Sequence, residues 1–287
     1  MAAQTIRLAK LIARRGVAAR RKAEALVFAG KVTVNGQVVT HPATAVSPTA
    51  DRIVVDGQVL PDQPELGYYL LYKPRGTITG RNDPSGRKSV LDLVQHLPVR
   101  VEPVGRLDYD TEGALLLTND GPLAHALTHP SRKVPKRYRA KVYRTPSART
   151  LAAIEQGRVF LDDGRIAPAK VRVDATTDRT NAWVEITVTE GRNRLIRRVF
   201  AQMGHPVSKL RRESFATVSV RGLERGQVRA LTSDEIRRIR AIAQGVKPQN
   251  AGKIRRKKGF ALPKLKGRRA HAKRRNRETL DSPKSLS

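Results

Sequence analysis

Cysteine is absent from this 287-residue chain. That removes disulfides, thiolate metal sites and cysteine nucleophiles together, and it agrees with a reducing compartment. Aromatic residues are scarce, at 4% with one tryptophan, so no aromatic-anchored amphipathic helix offers itself to a membrane surface. No run approaches the ~20 apolar residues of a membrane-spanning helix. The stretch from Met1 to Arg7 lacks the apolar core of a signal peptide. A soluble, cytoplasmic protein is expected. Acid is the last shortage: 25 Asp and Glu face 57 Lys and Arg, a formal charge of +32. Such a chain calls for a polyanionic partner. Nucleic acid leads, because each neutralised phosphate releases counterions and adds affinity.

The charge is uneven. Gly245 to Ser287 holds 15 Lys and Arg against Glu278 and Asp281, and has almost no apolar periodicity; a basic, disordered, phosphate-binding tail is expected over 245–287. At the other end, Ile6 to Arg15 reads as a short helix with Leu8, Leu11 and Ile12 on one face, closed by Gly16. Ala19 to Ala29 reads as a second helix that buries Ala23, Leu26 and Val27 and exposes Arg20, Arg21 and Lys22. Lys31 to Val34, Asn35-Gly36 and a return through Val38 predict a hairpin, and Arg52 to Leu60 around Asp56-Gly57 predicts another. A linker follows at Pro61 to Glu65. Beyond it, strands are expected at Tyr68–Tyr72, Tyr138–Tyr143, Lys170–Val173, Trp183–Val188, Val207–Leu210, Thr217–Val220 and Gln227–Ala230. Ser89 to Val94 reads as a capped helical turn. Helices are expected at Ser147–Gly157, Asn193–Met203 and Ser233–Ala243, the last with a capping box begun by Ser233 and Glu235. Many strands without a regular βαβ period argue for an α+β class.

The most informative stretch runs from Val104 to Gly121. A strand leads into a polar turn carrying Asp108, Asp110 and Glu112 with Arg106, and then into the apolar run Ala114 to Leu117. Acids crowded on one turn of so basic a chain would repel phosphates. Three readings stand on residue types alone. The turn is solvated, with Asp side chains bonding nearby backbone N–H groups; or it holds a metal, for which His125 and His129 are the only imidazoles close in sequence; or a carboxylate acts on a sugar–base bond. Residue types rank the solvated turn first among the three and do not choose further.

Two resemblances bear on that choice. Leu8 to Lys10, Arg14 to Gly16, Ala19 to Arg21 and Gly30 to Gly36 resemble the small RNA-binding domain shared by a ribosomal small-subunit protein and many rRNA-modifying enzymes, over about Thr5 to Leu60. Ala9 departs from it where an acid is frequent, and Ala19 where serine commonly caps the second helix. Gly105 to Gly113, followed by the leucines and Thr118 to Gly121, closely resembles the signature of RsuA/RluB-type pseudouridine synthases. Tyr68 to Gly76 with Asp83 to Leu93, then Lys136 to Tyr138, then Glu190 to Arg198 match further blocks of that family in its order. The likeness runs from about Tyr68 to Ala243.

The resemblance implies an α+β architecture: a helix-helix-strand RNA-binding domain over 1–62, then a mixed, mainly antiparallel catalytic sheet with flanking helices over 63–244. It implies isomerisation of one uridine in ribosomal RNA, with 23S rRNA favoured by the basic tail and 16S rRNA the alternative. No metal and no cofactor are expected. The partner is rRNA or a ribosome assembly intermediate, and the protein is expected to be a monomer without membrane attachment. Asp108 falls on the catalytic aspartate. Tyr138 falls on a tyrosine that stacks on the target base, and Arg197 on an arginine that pairs with the catalytic carboxylate. Arg106, Lys10, Arg14, Arg20, Arg21, Lys31, Lys73, Arg192 and Arg194 are expected to contact RNA. Leu195 stands where the family usually has Gln or Glu, and is given no role. The other classes are a non-catalytic RNA-binding assembly protein and a nucleoside or sugar hydrolase. Keeping acid, tyrosine and arginine together argues against the first, and the charge against the second. Deleting Gly245–Ser287 is expected to weaken rRNA binding and flatten its dependence on salt; equal affinity across a salt series for the full and truncated proteins would refute a phosphate-binding tail.

Overall fold

The computed structural model describes residues 5–80, 83–176 and 181–247, so the tail from 248 onward lies outside the described residues. Residues Met1–Gln249 form one compact unit, and within it the first segment has a hydrophobic core of its own. Leu8, Leu11 and Ile12 from the helix Leu8–Arg14 meet Ala23 and Val27 from the helix Arg20–Phe28, closed over by Val32, Ile53 and Val55. The strands Gln37–Val38, Val32–Val34, Ile53–Val55 and Gln58–Val59 pair in that order. Both hairpins turn through two residues at positive φ, Asn35 at 53° with Gly36 at 85° and Asp56 at 49° with Gly57 at 80°, which matches the right-handed twist of the flanking strands. Ala19 begins the second helix with no side-chain cap.

The second segment is built on one large sheet. Its strands run in the order Lys170–Thr176, Asn181–Val188, Lys136–Tyr143, Val207–Phe215, Thr111–Thr118, Tyr68–Lys73 and Val228–Ala230. Every pairing along this order is antiparallel except one, between Val207–Phe215 and Thr111–Thr118. Side chains alternate across the pleat. Around the Tyr68–Lys73 strand, Leu70, Tyr72, Ala114 and Leu116 meet Leu123 and Leu127 of the helix Gly121–Thr128 and Ile239 and Ile242 of the helix Ser233–Ala243. On the opposite face, Ala140, Val142, Val184, Ile186 and Leu210 meet Ile154 of the helix Ala148–Glu155 and Ile196, Val199 and Phe200 of the helix Leu195–Gln202. Leu71, Leu115 and Leu117 continue that second face toward Val90, Val94, Val101 and Leu107.

The parallel junction joins the two halves of the sheet. It sets Leu210, Arg211 and Arg212 beside Thr111, Glu112 and Gly113. Gly113 has φ of +118°, and a Cβ there would sit 2.2 Å from the Arg212 carbonyl oxygen. Arg212, 2% exposed, runs its side chain along the same seam and donates from Nε to the Ala114 carbonyl at 2.6 Å.

Several expectations change. Glu112 is not on the turn; it lies in the strand Thr111–Thr118, because the chain is captured by sheet pairing directly after Asp110. The last helix is capped by Thr232, whose side chain accepts from Glu235 N while Glu235 returns the bond, so Ser233 is the first helical residue and not the cap. Ser89 to Leu97 is a chain of successive turns held by bonds such as Leu93 N to Val90 O and Leu97 N to Val94 O, and not one helical turn. The helix Gly121–Thr128, capped by Asp120, follows directly on the signature block and was not expected, and the hairpin of Phe160–Leu161 and Gly164–Arg165 was too short to show a period.

Gly113→Ala is expected to destabilise the protein by roughly 2–5 kcal/mol, the combined scale of backbone strain and overpacking, because the atoms it meets are backbone. Gly36→Ala, with nothing within 4 Å of its Cβ position, carries only the strain. Urea denaturation of both variants checks the order, and an equal loss at the two sites would refute the close approach.

Candidate active site

The turn between Val104 and Thr111 is held by its backbone. Thr79 is buried; its Oγ1 donates to the Leu107 carbonyl at 2.7 Å and accepts from Leu107 N at 3.2 Å. Lys73 is fully buried, and its ammonium donates to the carbonyls of Asp108 at 3.0 Å, Thr111 at 2.9 Å and Pro74 at 3.1 Å. Gly76 N donates to the Tyr109 carbonyl at 2.9 Å. Three consecutive peptide groups, those of Leu107, Asp108 and Tyr109, are thus fastened by one segment, Lys73 to Thr79. Burial pushes the Lys73 amine down to about 8, with the Asp108 and Asp110 charges opposing the shift. A folded value below the unfolded one means that the buried charge costs stability below about pH 8, and that this cost fades as pH rises through it.

The acids of this region face different surroundings. The Asp110 carboxylate is 2.9 Å from Arg197 and 3.4 Å from Arg194. Glu112 emerges on the far side of the sheet, 2.9 Å from Arg225 and 3.4 Å from the Tyr72 hydroxyl. Asp108 is half-buried, and among the described residues its carboxylate makes no hydrogen bond or ion pair. Arg197, expected to pair with Asp108, pairs instead with Asp110. Its guanidinium is steered there by two backbone acceptors, the Val207 carbonyl at 3.0 Å and the Asp110 carbonyl at 3.2 Å. The Arg197 charge still acts on Asp108 across space.

Tyr138 stands in the strand Lys136–Tyr143 between Ile186 and Arg212. It packs against both hydrophobic clusters of this face, the one holding Leu107 and the one holding Ile196 and Val199. It therefore lies between the turn and the helix that carries Arg197. Lys136, two residues before it, donates to the Val134 carbonyl at 3.2 Å, and burial pushes its amine down to about 8. Tyr109 is exposed on the turn, with the Arg87 guanidinium 5.3 Å from its ring centroid and Arg87 itself held in a two-point pair by Asp83. Leu195 is buried at the start of its helix, within the core.

The residues expected to contact RNA separate into two groups. Arg106 is exposed on the turn, and Arg194 is exposed at its edge. Lys10, Arg14, Arg20, Arg21 and Lys31 are exposed on the first segment, with Arg20 3.3 Å from Glu24 and Lys31 3.3 Å from Asp56. Lys73 and Arg192 are corrected. Lys73 has no exposed surface and all its donors are engaged. Arg192 lies 2.9 Å from Asp163 and 3.1 Å from Glu190, and donates to the carbonyls of Asp163, Gly164 and Arg165, so that it pins the Phe160–Arg165 hairpin. Thr79 and Arg212, which shape the turn and the seam, were not singled out from sequence. Their partners lie 28 and 98 residues away, and no local pattern signals such pairings.

Comparisons with known proteins agree with this arrangement. Residues 67–202 match the family described as RNA pseudouridylate synthase, and residues 6–53 match the S4 domain. The chain is 46% identical over 238 residues to the ribosomal large subunit pseudouridine synthase B of Bacillus subtilis, covering 83% of this chain and 96% of that protein. It is 40% identical over 236 residues to an uncharacterized RNA pseudouridine synthase of Aquifex aeolicus, covering 82% and 93%. A crystal structure of a pseudouridylate synthase superposes with a TM-score of 0.58 at 29% identity, covering 82% of this chain and 99% of the other. The chain belongs to the RNA pseudouridine synthase family, with an S4 domain ahead of the synthase domain.

Proposed function

We propose that this protein converts a uridine of large-subunit ribosomal RNA to pseudouridine, and that Asp108 is the carboxylate that acts on the target nucleotide. The substrate assignment rests on the likeness to the Bacillus subtilis large-subunit enzyme and on the basic charge of the chain. The choice of Asp108 rests on one observation: Asp110 and Glu112 are engaged by arginines, whereas the Asp108 carboxylate has no partner among the described residues and sits on a turn whose backbone is fastened on three sides.

In the reaction the N1–C1′ bond breaks, the base turns, a C5–C1′ bond forms, and the proton lost from C5 is matched by one gained at N1. Asp108 acts while the base is detached. Tyr138, placed between the turn and the arginine helix, stacks on the base and accepts its ring proton. Arg197 holds the turn through Asp110 and keeps positive charge near Asp108. Arg106 contacts the RNA next to the nucleotide, which must leave its stack to be reached. Lys73 is a positioning residue, acting through the carbonyls of Asp108 and Thr111.

Asp108→Asn is expected to abolish pseudouridine formation in 23S rRNA while RNA affinity is retained. Isomerisation at the normal rate by that variant would refute the assignment. Lys73→Met removes the three donated bonds without removing bulk. It should lower kcat by roughly 10²-fold, the scale of a ~1 Å misplacement, with a thermal midpoint changed by only a few degrees, because lost hydrogen bonds and a relieved buried charge oppose one another. The kcat of the unaltered protein should also decline as pH rises through about 8, where Lys73 loses a proton, and that decline should be absent in Lys73→Met. A variant with normal kcat and a normal pH profile would leave Lys73 without a positioning role.

A further inference from the structure

The half of the sheet formed by Lys170–Thr176, Asn181–Val188, Lys136–Tyr143 and Val207–Phe215 carries the two helices of the Arg197 side on one face, and among the described residues no helix covers the other. On its other face Arg139, Lys141, Trp183, Glu185, Lys209 and Arg211 are all at least partly exposed. Two rows of side chains cross this face. In one, Arg211 stands beside Arg139, Arg139 beside Glu185, and Glu185 beside Arg172. Its charges are answered: Arg139 pairs with Asp174, Arg211 with Glu213 and Arg172 with Glu185. The adjacent row sets Lys209 directly beside Lys141, and Lys141 directly beside Trp183. Neither lysine has a carboxylate partner among the described residues. Like charges directly opposite on neighbouring strands repel, so this row is destabilising by itself and is relieved by an anion laid along it.

A groove of about 450 Å³ continues from Trp183 past Lys209 to Arg225, Glu112 and Arg75. Arg75 is exposed and follows Lys73-Pro74, the segment that fastens the Asp108 turn; its charge is felt at Arg197. The groove therefore ends at the segment that fastens the Asp108 turn. Trp183 offers a π-surface at the far end, with the Arg139 guanidinium 4.8 Å from its ring centroid.

We propose that this face is a second RNA-binding surface: single-stranded RNA flanking the target uridine leaves the active site past Arg75 and crosses the bare sheet, with phosphates on Lys209 and Lys141 and a base against Trp183. This rests on the reading of the protein as an enzyme acting on rRNA. Unpaired cations beside an aromatic plane are the combination that single strands favour.

Trp183 is the only tryptophan of the chain, so its fluorescence reports on this face. The full-length protein is titrated with an oligouridylate of about 20 nucleotides, longer than the ~4–16 nucleotides one such groove takes up. Saturable quenching is expected. In the double variant Lys141→Gln/Lys209→Gln, affinity should fall and the log–log salt slope should shrink by about 1.4, about 0.7 for each phosphate left without its lysine; Lys141→Arg/Lys209→Arg should restore both. With 23S rRNA as substrate, the glutamine variant should show a raised KM and a retained kcat, which also reports that it folds. Oligouridylate binding that leaves Trp183 fluorescence unchanged, or a glutamine variant with unaltered affinity and slope, overturns the proposal. If the unaltered protein forms no pseudouridine in 23S rRNA while the quenching and its lysine dependence hold, the reaction assignment falls and the surface stands.

Discussion

The Lys73 ammonium donates to the carbonyls of Pro74, Asp108 and Thr111 from a position with no exposed surface, and much of the site follows from it. A buried lysine is costly, and here burial lowers its amine to about 8. What it provides is a fixed distance between the end of the Tyr68–Lys73 strand and the start of the Thr111–Thr118 strand. With Thr79 on Leu107 and Gly76 on Tyr109, it leaves the Asp108 peptide no freedom to turn away. The carboxylate on that peptide is then without a partner among the described residues and yet not free in direction, the condition a preorganised group requires.

The parallel seam does for the sheet what Lys73 does for the turn. Two largely antiparallel halves meet where Gly113 lies against the Arg212 backbone. Only a residue without a Cβ permits that approach. The seam brings the strand behind Asp108 next to the strand whose neighbour carries Tyr138, and the helix Leu195–Gln202 packs on the same face. Turn, tyrosine and arginine thus converge from three separate stretches of chain. Within a +32 protein, arginines answer two of the three neighbouring acids, Asp110 at this convergence and Glu112 on the far side of the sheet.

Much of this was legible in the residues. The two hairpin turns of the first segment were readable because Asn-Gly and Asp-Gly tolerate positive φ where other pairs do not. The strands Tyr68–Lys73 and Lys136–Tyr143 and the helix around Arg197 followed from hydrophobic period. The helix Gly121–Thr128 did not, because it is only eight residues long and opens with Gly121-Pro122, which read as a turn. Glu112 was assigned to the turn because nothing in the sequence marks where sheet pairing resumes.

By itself the sequence determined the charge, the absence of thiol chemistry, the α+β class and the order in which acid, tyrosine and arginine occur, since each depends on residue type and local spacing alone. Only the tertiary structure decided which acid has no partner among the described residues, that Arg197 answers Asp110, that Lys73 and Arg192 are engaged by the fold's own carbonyls and carboxylates, and that Lys141, Lys209 and Trp183 share one face of the sheet. Those outcomes depend on which backbone carbonyls and neighbouring strands a side chain meets after the chain has closed over distances of tens of residues, and side-chain identity carries no record of that.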